Sequence, residues 1–206
     1  MVLDNPSRRM AVNNFLVMNR SRINVLIKKF NVHGEREPLR IVQKVASFKR
    51  VAVPQLIDTL NQSTNIRLRR WSAAALGQIG GTKVINPLLK ALTDPNMSVN
   101  LQAITALERV APKKLGQKLI PLMKHSSGGV RINAIDTLGR LKYRPSGKYL
   151  IAATKDQKWY VRQAAARAIG NLKFQKGRPV LESLQKCDSR KAVRDAARDS
   201  LRMINR

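Results

Sequence analysis

The 206-residue chain carries 40 lysines and arginines against 12 aspartates and glutamates, a formal net charge of +28 at neutral pH. Solubility needs only a few charges, and an excess of this size opposes compaction through self-repulsion, so it points to a partner of opposite sign. Aromatic residues are only 4%, and Ala, Leu, Ile and Val supply most of the apolar content, which argues against a β-sandwich and for close-packed helices, in one core or in an elongated stack.

The first 20 residues fit no repeat register and read either as a capping helix over 7–18 or as an extended basic arm. Residues 10–18 are too short and, with Asn13 and Asn14, too polar for a signal-peptide core, and no run of about 18 apolar residues offers a membrane span. A basic amphipathic stretch comes next at 20–30, carrying Arg22, Lys28 and Lys29. The single cysteine, Cys187, has no partner for a disulfide and no neighbours at metal-ligand spacing, so a reduced, cytoplasmic setting is expected.

From residue 37 the chain repeats itself. A weak copy at 37–46 precedes five strong ones led by Leu68, Val99, Val130, Val161 and Val193, whose starts are separated by 31, 31, 31 and 32 residues. Apolar or small residues recur at offsets 0, 4, 5, 7 and 8, with Arg198 the charged exception, which predicts one buried helical face per copy. The small residues at offset 4 (Ser72, Ala103, Ala134, Ala165, Ala197) would let a neighbouring helix approach closely. Ahead of each copy lies a second amphipathic segment, at 53–60, 84–92, 115–123, 147–154 and 179–184. Pro54, Pro87 and Pro179 sit in or beside first turns, whereas Pro121 lies deeper and is expected to delay or kink its helix. Gly77, Gly139 and Gly170 read as helix ends needing a small or left-handed residue. A single pair cannot bury its apolar face, so the reading is an all-α, right-handed α-solenoid of five to six two-helix repeats, with 1–20 as cap or arm and 21–206 as one solenoid.

The run V-R-x-x-A-A-x-A-[LI]-G with an Asp shortly before it, as in residues 156–170, resembles the HEAT-like repeats of phycobilisome lyases, and the resemblance covers roughly residues 37–206. In that family the Asp of one repeat and the Arg that follows it form a hydrogen-bond ladder between repeats. The matching positions are Asp156 with Arg162 and Asp188 with Arg194, each six apart. Asp94 is followed at that spacing by Asn100, and Ser63 and His125 stand where the acid would precede Arg69 and Arg131, so the resemblance implies a partial ladder of structural arginines.

The charge is uneven, for residues 113–206 hold 23 basic and 6 acidic side chains. Connections from the second helix of one pair to the first helix of the next carry recurrent cations: Lys49 and Arg50; Lys83; Lys113, Lys114 and Lys118; Arg140, Lys142, Arg144 and Lys148; Lys173, Lys176 and Arg178. In a solenoid these connections share one edge, giving a ladder suited to a polyanion. Tyr143 and Trp159 are placed where base stacking would add to it, while Trp71 and Tyr149 read as packing residues.

No catalytic constellation emerges. His33 and His125 lie about three repeats apart, and Gly80-Gly81-Thr82-Lys83 lacks the spacing of a phosphate-binding loop. Alkylpurine DNA glycosylases are basic solenoids of the same kind that use an Asp in a Trp-lined groove. Here the residues one turn after Trp71 and Trp159 are Ala75 and Gln163, leaving Asp136 as the remaining candidate. The expectation is therefore a non-catalytic scaffold without cofactor or metal, engaging nucleic acid or a ribonucleoprotein first. An acidic protein assembly such as a phycobiliprotein, handled by a chaperone or lyase-like factor, comes second, and an anionic membrane surface third.

Overall fold

The computed structural model describes residues 6–31 and 36–205, with side chains described from Val17 onward except those of 112–114. His33 and the side chains of Lys113 and Lys114 thus lie outside the described residues. Twelve α-helices and several short 3₁₀ turns account for the regular structure described. The chain divides into two compact units, residues 1–91 with 102–110, and residues 92–101 with 111–206.

In the first unit, α1 (Pro6–Lys28) runs unbroken through position 20, so the described part of the N-terminal segment is helical and continuous with the basic stretch at 20–28. Then come α2 (Arg36–Ala46), α3 (Val53–Gln62), α4 (Ile66–Ile79), α5 (Ile85–Ala91) and the larger part of α6 (Met97–Val110). The α4 helix packs on both α2 and α3. It starts at Asn65, whose Oδ1 accepts from the N–H groups of Arg67 (2.9 Å) and Leu68 (3.3 Å), satisfying two donors that the helix itself cannot.

The second unit contains the start of α6 and three helix pairs: α7 (Pro112–Leu119) with α8 (Gly128–Arg140), α9 (Gly147–Ala153) with α10 (Trp159–Asn171), and α11 (Arg178–Cys187) with α12 (Lys191–Asn205). The α10 helix lies between α8 and α12, so second helices form one layer and share its core. Val99, Val130, Val161 and Val193 at offset 0 are fully buried, as are Leu76, Leu107, Leu138 and Ile169 at offset 8. Each contributes about 1.5–3 kcal/mol of burial, so a slip in helical register would expose a whole stripe at once.

One local reading is corrected and another is narrowed. Pro121 neither delays nor kinks its helix: α7 begins at Pro112, stops at Leu119, and the rest of the segment is a 3₁₀ turn, Pro121–Lys124. Pro121 has no N–H to continue the α ladder and so ends the helix instead, although Ile120 before it keeps helical angles (φ −54°, ψ −49°). Gly77, Gly139 and Gly170 lie in the last turns of α4, α8 and α10, and of the two alternatives the need for a small residue holds, not a left-handed backbone. A Cβ on Gly77 would stand 2.5 Å from Ala106 Cβ, one on Gly139 2.9 Å from Ala168 Cα, and one on Gly170 2.7 Å from Ser200 Cβ. Their role is close approach of second helices. The residue with positive φ falls later, at Gly80 (φ +71°) in the first unit and at Lys142 (φ +49°) and Lys173 (φ +47°) in the second.

Candidate functional site

Two edges of the second unit carry the polar chemistry. The first consists of the connections that lead out of a second helix. After α8, Lys142 N–H donates to Gly139 O (3.2 Å) and Tyr143 N–H to Leu138 O (3.1 Å); after α10, Lys173 N–H donates to Gly170 O (2.9 Å) and Phe174 N–H to Ile169 O (3.2 Å). This crossed pair of bonds closes each helix with a left-handed residue. The following aromatic is then inserted against a glycine of the preceding repeat: Tyr143 against Gly116 of α7, Phe174 against Gly147 of α9, where a Cβ would come within 2.5 Å of either ring. Phe174 thereby seats the second connection directly on the start of α9, next to the first.

On this frame Arg140, Lys142, Arg144 and Lys148, then Lys173, Lys176 and Arg178, are all exposed, as is Lys118 of α7. Arg178 pairs with Glu182 at 3.1 Å and Lys148 sits 5.0 Å over the Tyr149 ring. Lys142, Arg144, Lys173 and Lys176 have no ion-pair partner among the described residues. In the first unit Lys49, Arg50 and Lys83 are likewise exposed on connections.

The second edge is made of the turns within each pair, and there Arg131 and Arg162 are consumed by structure, while Arg190 stays exposed. Arg131 holds both carboxylate oxygens of Asp156 (Nε–Oδ2 2.8 Å, Nη2–Oδ1 2.9 Å), and Arg162 holds both of Asp188 (2.7 and 3.0 Å). Such paired, charge-assisted bonds are the strong kind. Each Asp also accepts from the N–H two residues on, Lys158 or Arg190, which fixes the turn. Burial raises the Asp156 carboxyl, but its bonds to Arg131 and the Lys158 N–H outweigh this and hold it below the ordinary carboxylate value. For Asp188 the hydrogen bond from Arg162 dominates and lowers it against the opposing effect of burial.

Beside this ladder lies a cleft of about 480 Å³ lined by Met123, His125, Arg131, Tyr149, Lys155 and Asp156. His125 Nδ1 accepts from the Ser127 N–H at 3.1 Å, so the imidazole is tied to its own turn. Among the described residues no group of three His, Cys, Asp or Glu is placed to hold a metal ion, and no helix is long and apolar enough to cross a membrane. Asp136 stands on the exposed side of α8; desolvation raises its carboxyl against the lowering charges of Arg167 and Arg140. Trp71 is a core residue, 4% exposed, with the Arg70 guanidinium 4.6 Å from its ring centroid, and so lines no groove.

Family models for HEAT repeats match residues 38–108, 53–125, 85–152 and 147–205, in overlapping windows that reach from α2 to the end of α12. The chain belongs to the HEAT-repeat family. Among solved structures it is similar in fold to a designed armadillo-repeat protein in complex with a (KR)4 peptide (18% identity, 87% of this chain and 98% of that one, TM-score 0.53). It is also similar to an engineered protein (18% identity, 89% and 96%, TM-score 0.52), and it aligns with the CpcE–CpcF complex of phycocyanin lyase from Nostoc (20% identity, 87% and 98%, TM-score 0.42). No curated protein sequence gives a significant match.

Within these HEAT repeats the ladder differs from its expected form. The carboxylate partner of each arginine is the Asp of the following turn, 25 or 26 residues on, not the Asp six residues before it. The six-residue spacing is a main-chain contact: Nη1 of Arg69, Arg131, Arg162 and Arg194 donates to the carbonyls of Ser63, His125, Asp156 and Asp188 at 2.7–2.9 Å. A carbonyl is present whatever the side chain, so Ser63 and His125 do not interrupt the contact. Asn100 replaces arginine differently: buried, it donates to Leu92 O and accepts from Asn133 Nδ2 at 2.9 Å. Sequence reasoning misses Arg131 as a full ladder member because it seeks the acid upstream. It offers Tyr143 and Trp159 for stacking: Tyr143 is half-buried with its ring over Gly116, and Trp159 remains 39% exposed, edge-on to Tyr160 at a centroid distance of 5.8 Å.

Proposed function

We propose that this HEAT-repeat protein is a non-catalytic binding scaffold whose connection edge in the second unit engages a polyanion, nucleic acid or a ribonucleoprotein, through phosphate contacts. The observation that carries the reading is that Lys142, Arg144, Lys173 and Lys176 stand exposed and without carboxylate partners among the described residues, on two connections locked side by side by Phe174 and Gly147. The opposite, turn edge, by contrast, commits Arg131 and Arg162 to internal ion pairs. Cations on fixed connections attract phosphate with little backbone ordering, and the Tyr143 ring, half-buried over Gly116, serves packing first.

The test is fluorescence anisotropy of a labelled single-stranded oligonucleotide across a salt series, with wild type, a Lys142→Glu/Arg144→Glu/Lys173→Glu/Lys176→Glu variant, and a Lys155→Glu/Lys158→Glu variant on the turn edge. A steep fall of affinity with salt is expected, each phosphate contact contributing about 0.7–0.9 to the log–log slope. The quadruple variant should lose binding while the turn-edge control keeps most of it. A salt-independent affinity, or equal loss in both variants, overturns the reading; partners that survive nuclease treatment of a native pull-down would assign the edge to an acidic protein instead.

A further inference from the structure

Positions 49, 80, 142 and 173 lie one or two 31-residue periods apart and share a backbone demand. Their φ angles are +50°, +71°, +49° and +47°. Glycine meets this demand at position 80 without steric penalty, but the other three positions hold lysine. For a residue with a Cβ the left-handed region is strained, because the Cβ crowds the following carbonyl.

At Lys142 and Lys173 the fold makes no use of the side chain that incurs this penalty. The helix-closing bonds are main chain to main chain, Lys142 to Gly139 and Tyr143 to Leu138, Lys173 to Gly170 and Phe174 to Ile169. The packing is done by the next residue, Tyr143 or Phe174. Both lysine side chains are exposed and unpaired with any described carboxylate. A residue that opposes its own backbone and stabilises nothing inside the fold has its use outside it.

We infer that Lys142 and Lys173 are the principal phosphate-contacting residues of the second unit, retained at a position where glycine would make the protein more stable. This rests on the function proposed above and adds that stability and affinity oppose each other at these two positions. The ligand class follows from the groups on offer. Two compact ammonium ions on adjacent connections, each followed by an aromatic laid on a glycine, contact a chain of phosphates without reading bases, so inorganic polyphosphate should serve as well as an oligonucleotide.

The experiment compares wild type with Lys142→Gly/Lys173→Gly, Lys142→Arg/Lys173→Arg and Lys155→Ala/Lys158→Ala. Thermal melts are recorded beside anisotropy of a labelled oligonucleotide and its displacement by inorganic polyphosphate. The glycine pair is expected to melt higher by about 2–4 °C and to bind at least tenfold more weakly at moderate salt, with a log–log salt slope shallower by about 1.4. The arginine pair should match wild type in both measurements, and the alanine pair, which removes the same charge elsewhere, should change affinity less than threefold. Wild-type binding with an unchanged glycine pair would overturn this assignment alone, and so would a glycine pair that melts lower. Absence of any polyanion binding by wild type would overturn the proposed function together with it.

Discussion

Arg162 reaches in two directions at once: its Nε and one terminal nitrogen grip the Asp188 carboxylate of the next turn, and its other terminal nitrogen binds the Asp156 carbonyl of its own turn at 2.9 Å. With the two side chains only 16% and 5% exposed, the pair is largely shielded from solvent. Removing one partner leaves the other charge buried, and Asp188→Ala is expected to cost about 3 kcal/mol in chemical denaturation. The pH sign comes from the lowered Asp188 carboxyl. The unfolded chain takes up the proton at higher pH than the folded one, so this contribution is complete above the unfolded value of 3.8 and fades as pH falls through the lower folded value. Asp188→Asn should flatten the acid limb of a stability profile below about pH 4; an unaltered limb would show that other carboxylates set it.

Ser72 occupies the small-residue register that alanine fills at 103, 134, 165 and 197, yet its buried Oγ has no hydrogen-bond partner. An unsatisfied buried hydroxyl costs about 1–3 kcal/mol. Ser72→Ala should therefore raise the melting temperature by about 2–4 °C, read by circular dichroism. A lower melting temperature would mean that the hydroxyl finds a partner in solution.

Gly139→Ala tests the close approach of α8 and α10. Alanine is the better helix former by about 1 kcal/mol, but the new methyl would stand 2.9 Å from Ala168 Cα and Cβ. The net expectation is a loss of about 1–3 kcal/mol, part of it recovered by Ala168→Gly in a double-mutant cycle. Stabilisation by the single change would restore the reading of this glycine as a mere helix end.

How far the sequence reveals this molecule depends on which interactions are periodic. The buried valines at 99, 130, 161 and 193 and the basic connections recur at 31–32 residues, and hydrophobic period and charge are visible in a string of letters. Hydrogen-bond direction is not: that Asp156 serves Arg131, 25 residues upstream, depends on how the Asx turn at 156–158 aims the carboxylate, and no local spacing encodes that. The fate of Tyr143 is hidden for a similar reason, since its pocket exists only because Gly116, a repeat earlier, lacks a side chain. Lysine in a left-handed position is invisible because the rule that places glycine there is broken at three of the four positions.

Tyr143→Ala separates packing from stacking. Emptying the space over Gly116 should cost about 2 kcal/mol, whereas the salt slope of oligonucleotide binding should stay at its wild-type value. Tyr143→Phe should be silent in both assays. A variant that remains fully stable while binding weakens would return this ring to the nucleic-acid surface.

Because Arg69 and Arg131 anchor their turns through main-chain oxygens, including those of Thr64 and Ser126, the side chains of Thr64 and Ser126 take no part in that anchoring. Each of these two positions can be recoded, by selection or by a library, while the arginine contact beneath it stays the same.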